Sequence, residues 1–382
     1  MLIKRSLDTH EKLSLLSRDS QYDLACACGS TAEDQRRRNG EGKWIYPVTL
    51  PDGRKQFLFK ILISNSCIND CAYCPLRADS DGVRCTASAE EIVRAFMDYY
   101  RRKMVQGIFL SSGVTHSPDS AMERINTIAG ALRHKEGFRG YVHLKIIPGS
   151  SDAAIEKAVS LATTVSVNIE TPGEKHFEML SEKKNYLEDI IRPMKLISSL
   201  AKRDAKFKKK KATTQFVVGA AGEPDRDIIN YMDGLYRRLG FNRVYFSAYQ
   251  RGLGKEGLPG ELSRYSNADM LTREHRLYQV DWLLRKYGFG AGEIPLEEGG
   301  NLSLEIDPKE CWALSHPELF PLDINSAGKF ELLRVPGFGE VTVNRILRIR
   351  TDGCKVRSLD MLSKGKPGKR LEKAGGYIKF GY

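Results

Sequence analysis

Between about residue 57 and residue 290 the hydrophobic positions follow two alternating rhythms. Short runs rich in Val, Ile, Phe and Tyr predict strands at 57–64, 107–112, 141–148, 163–170, 213–219 and 242–249, most of them closing on a Gly, Pro or Ser cluster. Between these runs apolar residues recur at helical spacing, as in 185–203, 225–239 and 271–286. Ser88 opens a capping box with Glu91 ahead of one helix, and Ser117-Pro118 opens the next. Six β/α units predict an α/β fold with a parallel sheet, short of the eight that close a full barrel. A partial (β/α)6, TIM-like barrel over residues 51–295 is the expectation, with the Gly-rich stretch 251–270 as a loop over its mouth. Residues 1–50 read as an N-terminal extension of loops and a short helix. The rhythm stops near 296, so 296–382 reads as a small α-helical C-terminal module. Within it ELLRVPGFGEVTVNRILRIR (331–350) predicts a helix, a Pro-Gly-Phe-Gly turn and a second helix.

Composition changes this picture little: 41% of the 382 residues are hydrophobic and 28% charged, as in ordinary globular proteins. No apolar run reaches the ~18 residues of a membrane span, and MLIKRSLDTHEKLS lacks a signal-peptide core. A cytoplasmic chain with reduced thiols is expected.

Charge is more telling, because the net +12 is unevenly placed. Residues 202–211 (KRDAKFKKKK) carry seven Lys/Arg against Asp204, and 331–382 carry twelve against five acids. The remaining chain is close to neutral. Two basic segments on a neutral body point to a polyanionic partner, with a solvated face as the alternative for 202–211. Lys208, Lys209 and Lys210 are the candidates in the first segment. In the second, Gly337 and Gly339 would bring backbone N–H groups to a phosphate, with Arg334, Arg345, Arg348 and Arg350 adding charge.

The chemistry is concentrated in SNSCINDCAYCPLRA, directly after the first β/α strand. Cys67, Cys71 and Cys74 have the spacing C-x-x-x-C-x-x-C. Three thiolates in one loop can hold three irons of a 4Fe–4S cube and leave the fourth open to a ligand. A structural zinc site would want four ligands, usually as two pairs, and no second pair with such spacing exists; plain core thiols are the other alternative. Cys26 and Cys28 in YDLACACGS, with Cys85 or Cys311, are candidates for a second cluster, although C-x-C is not diagnostic.

This triple is the signature of the radical S-adenosylmethionine (SAM) superfamily, which the chain resembles here. The resemblance implies a 4Fe–4S cluster and SAM as cofactors, and reductive cleavage of SAM to a 5′-deoxyadenosyl radical. An electron donor such as flavodoxin or ferredoxin would then be required. By the same resemblance Tyr73 would lie by adenine, and Ser111, Ser112 and Gly113 of LSSGV would meet the SAM amino group. Ser-Ser-Gly replaces the commoner Gly-Gly-Glu type there. Lys145 and the alternating Ser166, Asn168 and Glu170 would serve ribose and the methionyl carboxylate; polar groups at alternate strand positions are costly to bury without partners. Gly219 of FVVGAAGE would let the backbone approach adenine, or is a turn glycine, and Glu223 is one residue off the common pattern. Tyr245, Ser247 and Tyr249 alternate on the last strand. Tyr249 and His116 are candidates for substrate contact or a proton or hydrogen-atom relay, with core or rim roles as the alternative.

The C-terminal pattern resembles a helix-hairpin-helix, with Val343 where a small residue is frequent and 357–377 as a degenerate second half. Over nearly its full length the chain resembles the DNA modification or repair radical SAM proteins. YDLACACGS, ILISNSCINDCAYC, LSSGVTHSPD, YVHLKIIPG, SVNIETP, REHRLYQVDWLLRKYGF and HPELFPLDIN carry that resemblance. It implies DNA as partner, and a uracil-DNA-glycosylase-like protein encoded nearby; the lysine run 206–211 departs from the family pattern. The alternatives left open are an RNA, protein or small-molecule substrate and a non-catalytic Fe–S nucleic-acid binder.

Overall fold

The computed structural model describes residues 7–20, 45–49, 54–204, 207–363, 366 and 368–381. Cys26 and Cys28 lie outside them. The chain divides into two compact units, residues 1–223 with 234–274, and 224–233 with 275–382. Helices Asp225–Arg237 and Asn267–Lys286 each contribute residues to both.

The first unit is an α/β fold around one curled, seven-stranded half-barrel sheet. Its strands are β1 (Ile45–Thr49), β2 (Lys55–Leu62), β3 (Gly107–Ser111), β4 (Tyr141–Lys145), β5 (Thr164–Ser166), β6 (Lys211–Val218) and β7 (Arg243–Ala248), in sequential order. β2 to β7 are parallel and correspond to the six strands expected from sequence. β1 is additional: IYPVT pairs antiparallel with β2, and Pro47 is tolerated because β1 is an edge strand. Sequential parallel strands joined by right-handed crossovers put the helices on one face, so the other face is enclosed by curling.

Register divides the side chains accordingly. Phe59, Ile61, Ile108, Leu110, Val142, Leu144, Val165, Phe216, Val218, Val244 and Phe246 share one parity and are at most 1% exposed. Phe59 meets Phe96 of helix Ala89–Arg101 edge-on at 5.9 Å, which marks this as the helix-covered face. Full burial of each such side chain is worth roughly 1.5–3 kcal/mol. The opposite parity aligns Lys60, Phe109, His143 and Thr164 across β2 to β5, and Lys145, Ser166, Thr213 and Arg243 across β4 to β7. The enclosed face is therefore polar.

Helix starts follow their local chemistry. Ser88 forms the reciprocal cap with Glu91 expected of it, and Ser117 opens its helix with Pro118 in the first turn as expected, adding a reciprocal cap with Ser120. The stretch 185–203 divides into a π-helical turn, Tyr186–Ile191, and an α-helix, Arg192–Arg203. No described helix is long and apolar enough to cross a membrane.

The second unit is largely helical. Helix Lys329–Arg334, the turn Val335–Gly339 and helix Glu340–Thr351 follow the expected order. A two-stranded parallel pair, Leu322–Asp323 with Ile378–Lys379, ties its ends together. Its core is built from Ile324, Leu332, Leu333, Val335, Phe338, Val343, Ile346, Val356 and Ala374, among others.

Candidate cluster and cofactor site

Parallel strands place all their C-terminal ends on one rim. The cysteine loop follows β2 there, and Ser111–Gly113, Lys145, Ser166–Glu170, Gly219 and Tyr249 follow or close β3 to β7 on the same rim.

The cysteine loop is braced by backbone. Val114 N donates to Cys67 Sγ at 3.5 Å, Leu76 N to Cys74 Sγ at 3.4 Å, and Cys74 N to the Cys71 carbonyl at 2.8 Å. Ile68 N donates to the Val114 carbonyl at 2.7 Å, and Gly113 N to the Ser64 carbonyl at 2.7 Å. A Cβ on Gly113 would run into the Ser66 carbonyl oxygen, so only glycine lets the LSSGV loop lie this close. Bracing of the cysteine loop is thus a visible task of this loop; Ser112 Oγ donates to the Gly113 carbonyl at 2.7 Å.

Electrostatics favour a bound metal group. Burial pushes the Cys74 thiol up to about 12, and the neighbouring Cys71 adds to it. Burial also raises Cys71, opposed by the Lys184 ammonium, which lies 3.0 Å from its sulfur. Buried thiols that resist ionisation alone become thiolates when a cation binds them, and N–H groups aimed at sulfur are the usual outer partners of cluster ligands. The donor set fits a 4Fe–4S cube with an open iron. Among the described residues no three His, Cys, Asp or Glu converge on a single-ion site; thiolates of a cube each bind a different iron.

Above the loop, Tyr73 bonds Glu170, and burial followed by that carboxylate raises its hydroxyl well above the ordinary range. Glu170 has φ +64°, unusual outside glycine, while its N–H and carbonyl pair with Gln215 O at 3.0 Å and Val217 N at 2.7 Å. β5 stops at Ser166 rather than at 170 as expected: Ile169 N donates to Thr214 Oγ1 at 3.0 Å instead of to a backbone carbonyl, and Glu170 rejoins β6 only as an isolated bridge to Phe216. Asn168 Nδ2 donates to Glu170 Oε2 at 3.4 Å. Ser166 Oγ meets His143 Nε2 at 2.9 Å, and His143 Nδ1 meets the Tyr141 hydroxyl at 3.3 Å. His143 had no separate signal in sequence beyond its place two residues before Lys145, on the same strand face.

Other candidates have visible structural tasks. Gly219, at φ +85°, donates to Glu223 Oε1 at 2.5 Å, and Ala221 N donates to Glu223 Oε2 at 3.2 Å. Met270 fills the space a Cβ on Gly219 would need, so the turn reading accounts for this glycine. The Tyr249 hydroxyl donates to Glu261, which also accepts Gly252 N at 3.0 Å and Gly254 N at 3.1 Å. Burial and then Glu261 push Tyr249 upward, and its ring packs with Ala72, Leu180 and Leu258. The 252–255 loop thereby docks on the cysteine loop: Lys255 N donates to Ala72 O at 2.8 Å and Arg77 Nη1 to Leu253 O at 3.0 Å. His116 is exposed ahead of helix Pro118–Gly130. Cys85 and Cys311 belong to different units, and burial raises both thiols, Cys85 to about 11.

The basic candidates divide. Lys210 caps helix Asp152–Leu161, donating to the Ser160 and Ala162 carbonyls at 3.2 and 2.5 Å. Lys208 and Lys209 are exposed, but they precede β6 and so stand at the opposite end of the barrel from the cysteine loop. Arg334 is stacked between Phe289 and Trp312, at 4.3 and 4.4 Å, and pairs with Glu293 at 2.7 Å. Arg350 binds the Ala327 carbonyl at 2.5 Å. Arg348 is exposed and Arg345 half-buried. Gly337, at φ +87°, lies against the Arg370 carbonyl, and Gly339 begins helix Glu340–Thr351.

Residues 61–235 match the sequence profile of the Radical SAM superfamily. The chain carries a radical SAM domain. The cofactors of that superfamily are a 4Fe–4S cluster and SAM. Solved structures similar to it include the FeFe-hydrogenase maturase HydG from Carboxydothermus hydrogenoformans, at 19% identity over 58% of this chain and 50% of that one, TM-score 0.45. Methylornithine synthase, PylB, shares 16% identity over 58% of this chain and 62% of its own, TM-score 0.45. The radical SAM methyltransferase TsrM from Kitasatospora setae shares 12% over 50% and 36%, TM-score 0.39. The chain thus spans about half the length of the HydG structure. No curated protein matches it.

Proposed function

We propose that this radical SAM enzyme acts on DNA, in repair or base modification, with Cys67, Cys71 and Cys74 as the cluster ligands. Bound together, cluster and SAM supply a one-electron cleavage of the sulfonium and hence hydrogen abstraction. Tyr73, Lys145, Ser166, Asn168 and Glu170 would orient SAM on the rim, and the enclosed polar face would exclude bulk water from the reacting groups. A flavodoxin- or ferredoxin-type protein would deliver the electron.

The observation that supports DNA is the pairing of two glycine-led basic helices in the second unit. Gly339 starts Glu340–Thr351, Gly368 starts Lys369–Ala374, and the Arg370 carbonyl sits against Gly337 in the first turn. A duplicated helix-hairpin-helix presents N–H groups and charge to a phosphate backbone without reading sequence. Arg345 and Arg348 are the charges best placed to add to it; Arg334, Arg350 and Lys210 already hold internal contacts. Extrusion of a base would give it access to the rim. A uracil-DNA-glycosylase-like protein is the partner that fits a repair role.

The test is anaerobic. Reconstituted, reduced enzyme is given SAM, and 5′-deoxyadenosine is measured with and without damaged duplex DNA. Formation that rises with DNA and vanishes in Cys71→Ala supports the proposal. Formation indifferent to DNA, or stimulated only by RNA or a small molecule, overturns it.

A further inference from the structure

Lys184 brings a half-buried positive charge to a sulfur that the superfamily signature assigns to iron. Its ammonium is 3.0 Å from Cys71 Sγ. An ammonium held out of water is costly unless its surroundings return the lost hydration, so its placement needs a cause.

The cause is Asp70, the residue just before Cys71. Its carboxylate accepts Ser181 Oγ at 2.5 Å, Glu182 N at 2.9 Å and Lys183 N at 3.2 Å. Ala72 N donates to the Leu180 carbonyl at 2.7 Å, and Lys183 Nζ to the Ile68 carbonyl at 2.7 Å. Lys184 N then closes the turn on Ser181 Oγ at 3.3 Å. Segment 180–184 is clamped to the cysteine loop on both sides of Cys71, which leaves Lys184 aimed at that sulfur. Lysine carries an ammonium in its ordinary form, and a sulfur 3.0 Å away is an acceptor suited to it.

We propose that Lys184 is a positioning residue for the cluster, a fixed cation on the Cys71 thiolate that raises the cluster's reduction potential, with Asp70 as its anchor. The proposal rests on Cys71 being a cluster ligand. A cation beside one thiolate offsets the negative charge gained on reduction and so favours the reduced cluster. Even under the full screening of bulk water, one charge at this range is worth about a tenfold change in the ratio of reduced to oxidised cluster at fixed poise, which sets the smallest effect expected. That is about 59 mV for a one-electron couple.

The experiment measures iron and sulfide content and an EPR-monitored redox titration without SAM. It uses reconstituted full-length wild type, Lys184→Met, Lys184→Arg, Asp70→Asn and Cys71→Ala. The expected result is a full cluster in Lys184→Met with its midpoint lowered by about 59 mV or more. Lys184→Arg should stay near wild type, and Asp70→Asn should fall between. If Lys184→Met holds no cluster while Lys184→Arg holds one at wild-type potential, the fixed charge is still supported. A full cluster in Lys184→Met at unchanged potential overturns the proposal, as does loss of the cluster in Lys184→Arg. A wild-type cluster in Cys71→Ala overturns the ligand assignment itself, a result separate from either of these.

Discussion

Lys309 is buried in the second unit and joins helix Pro308–Leu314 to the glycine turn. Its amino group donates to the Leu333 carbonyl at 3.1 Å and to the Phe338 carbonyl, and lies 4.9 Å from the Tyr287 ring centre. Burial pulls its pKa from 10.5 down to about 7, with Asp307 opposing. Between those values the fold holds a neutral amine while the unfolded chain holds an ammonium, so the unfolded chain binds the extra proton. Stability must then rise with pH across this window, by about 1.4 kcal/mol per pH unit and roughly 5 kcal/mol in all. The two carbonyls and the ring face favour the ammonium, which makes that figure an upper bound. Urea unfolding of wild type and Lys309→Met at pH 7.5 and 9.5, followed by tryptophan fluorescence, checks this, since Trp282 and Trp312 lie in the same unit. Subtracting the variant removes the other titrating groups. The stability difference should move in favour of wild type by about 2–3 kcal/mol over the two pH units. A difference that stays constant would refute the reasoning, because the fold would then hold a charged Lys309.

Gly337→Ala places a methyl against the Arg370 carbonyl at φ +87°, and should cost roughly 2–5 kcal/mol of second-unit stability. The same urea titration reads it, and an unchanged midpoint would mean the turn can rearrange. Gln at both Arg345 and Arg348 should weaken binding to duplex DNA about equally for all sequences and lower the salt-dependence slope by about 2. Unchanged affinity in a salt series would remove these arginines from the interface.

The sheet was legible in sequence because each parallel strand is a short, strongly apolar run ended by turn residues. β1 was not, because Pro47 breaks the strand pattern and nothing local announces that IYPVT pairs with the strand after it. Glu170 belonged to a readable polar alternation, but its left-handed backbone depends on pairing with β6, which lies more than forty residues on. The cysteine triple was readable because its spacing is local chemistry. Lys184 was not: it reaches Cys71 only through Asp70, and no periodicity links residues so far apart. Arg334 looked like a free charge for the same reason, since the Phe289 and Trp312 rings that enclose it come from distant segments.

The Asp70 clamp also bears on how long the molecule survives. Glu182 and Lys183 are exposed, and Lys183-Lys184 is a dibasic sequence that lysine-directed proteases favour. Their backbone N–H groups are held by a carboxylate set between two of the three cysteines. A protease needs an extended stretch of several residues, so cutting here requires those bonds to open first. Damage that disorders the cysteine loop therefore uncovers a cleavage point in the same event, and a chain that has lost its chemistry becomes the one most readily degraded.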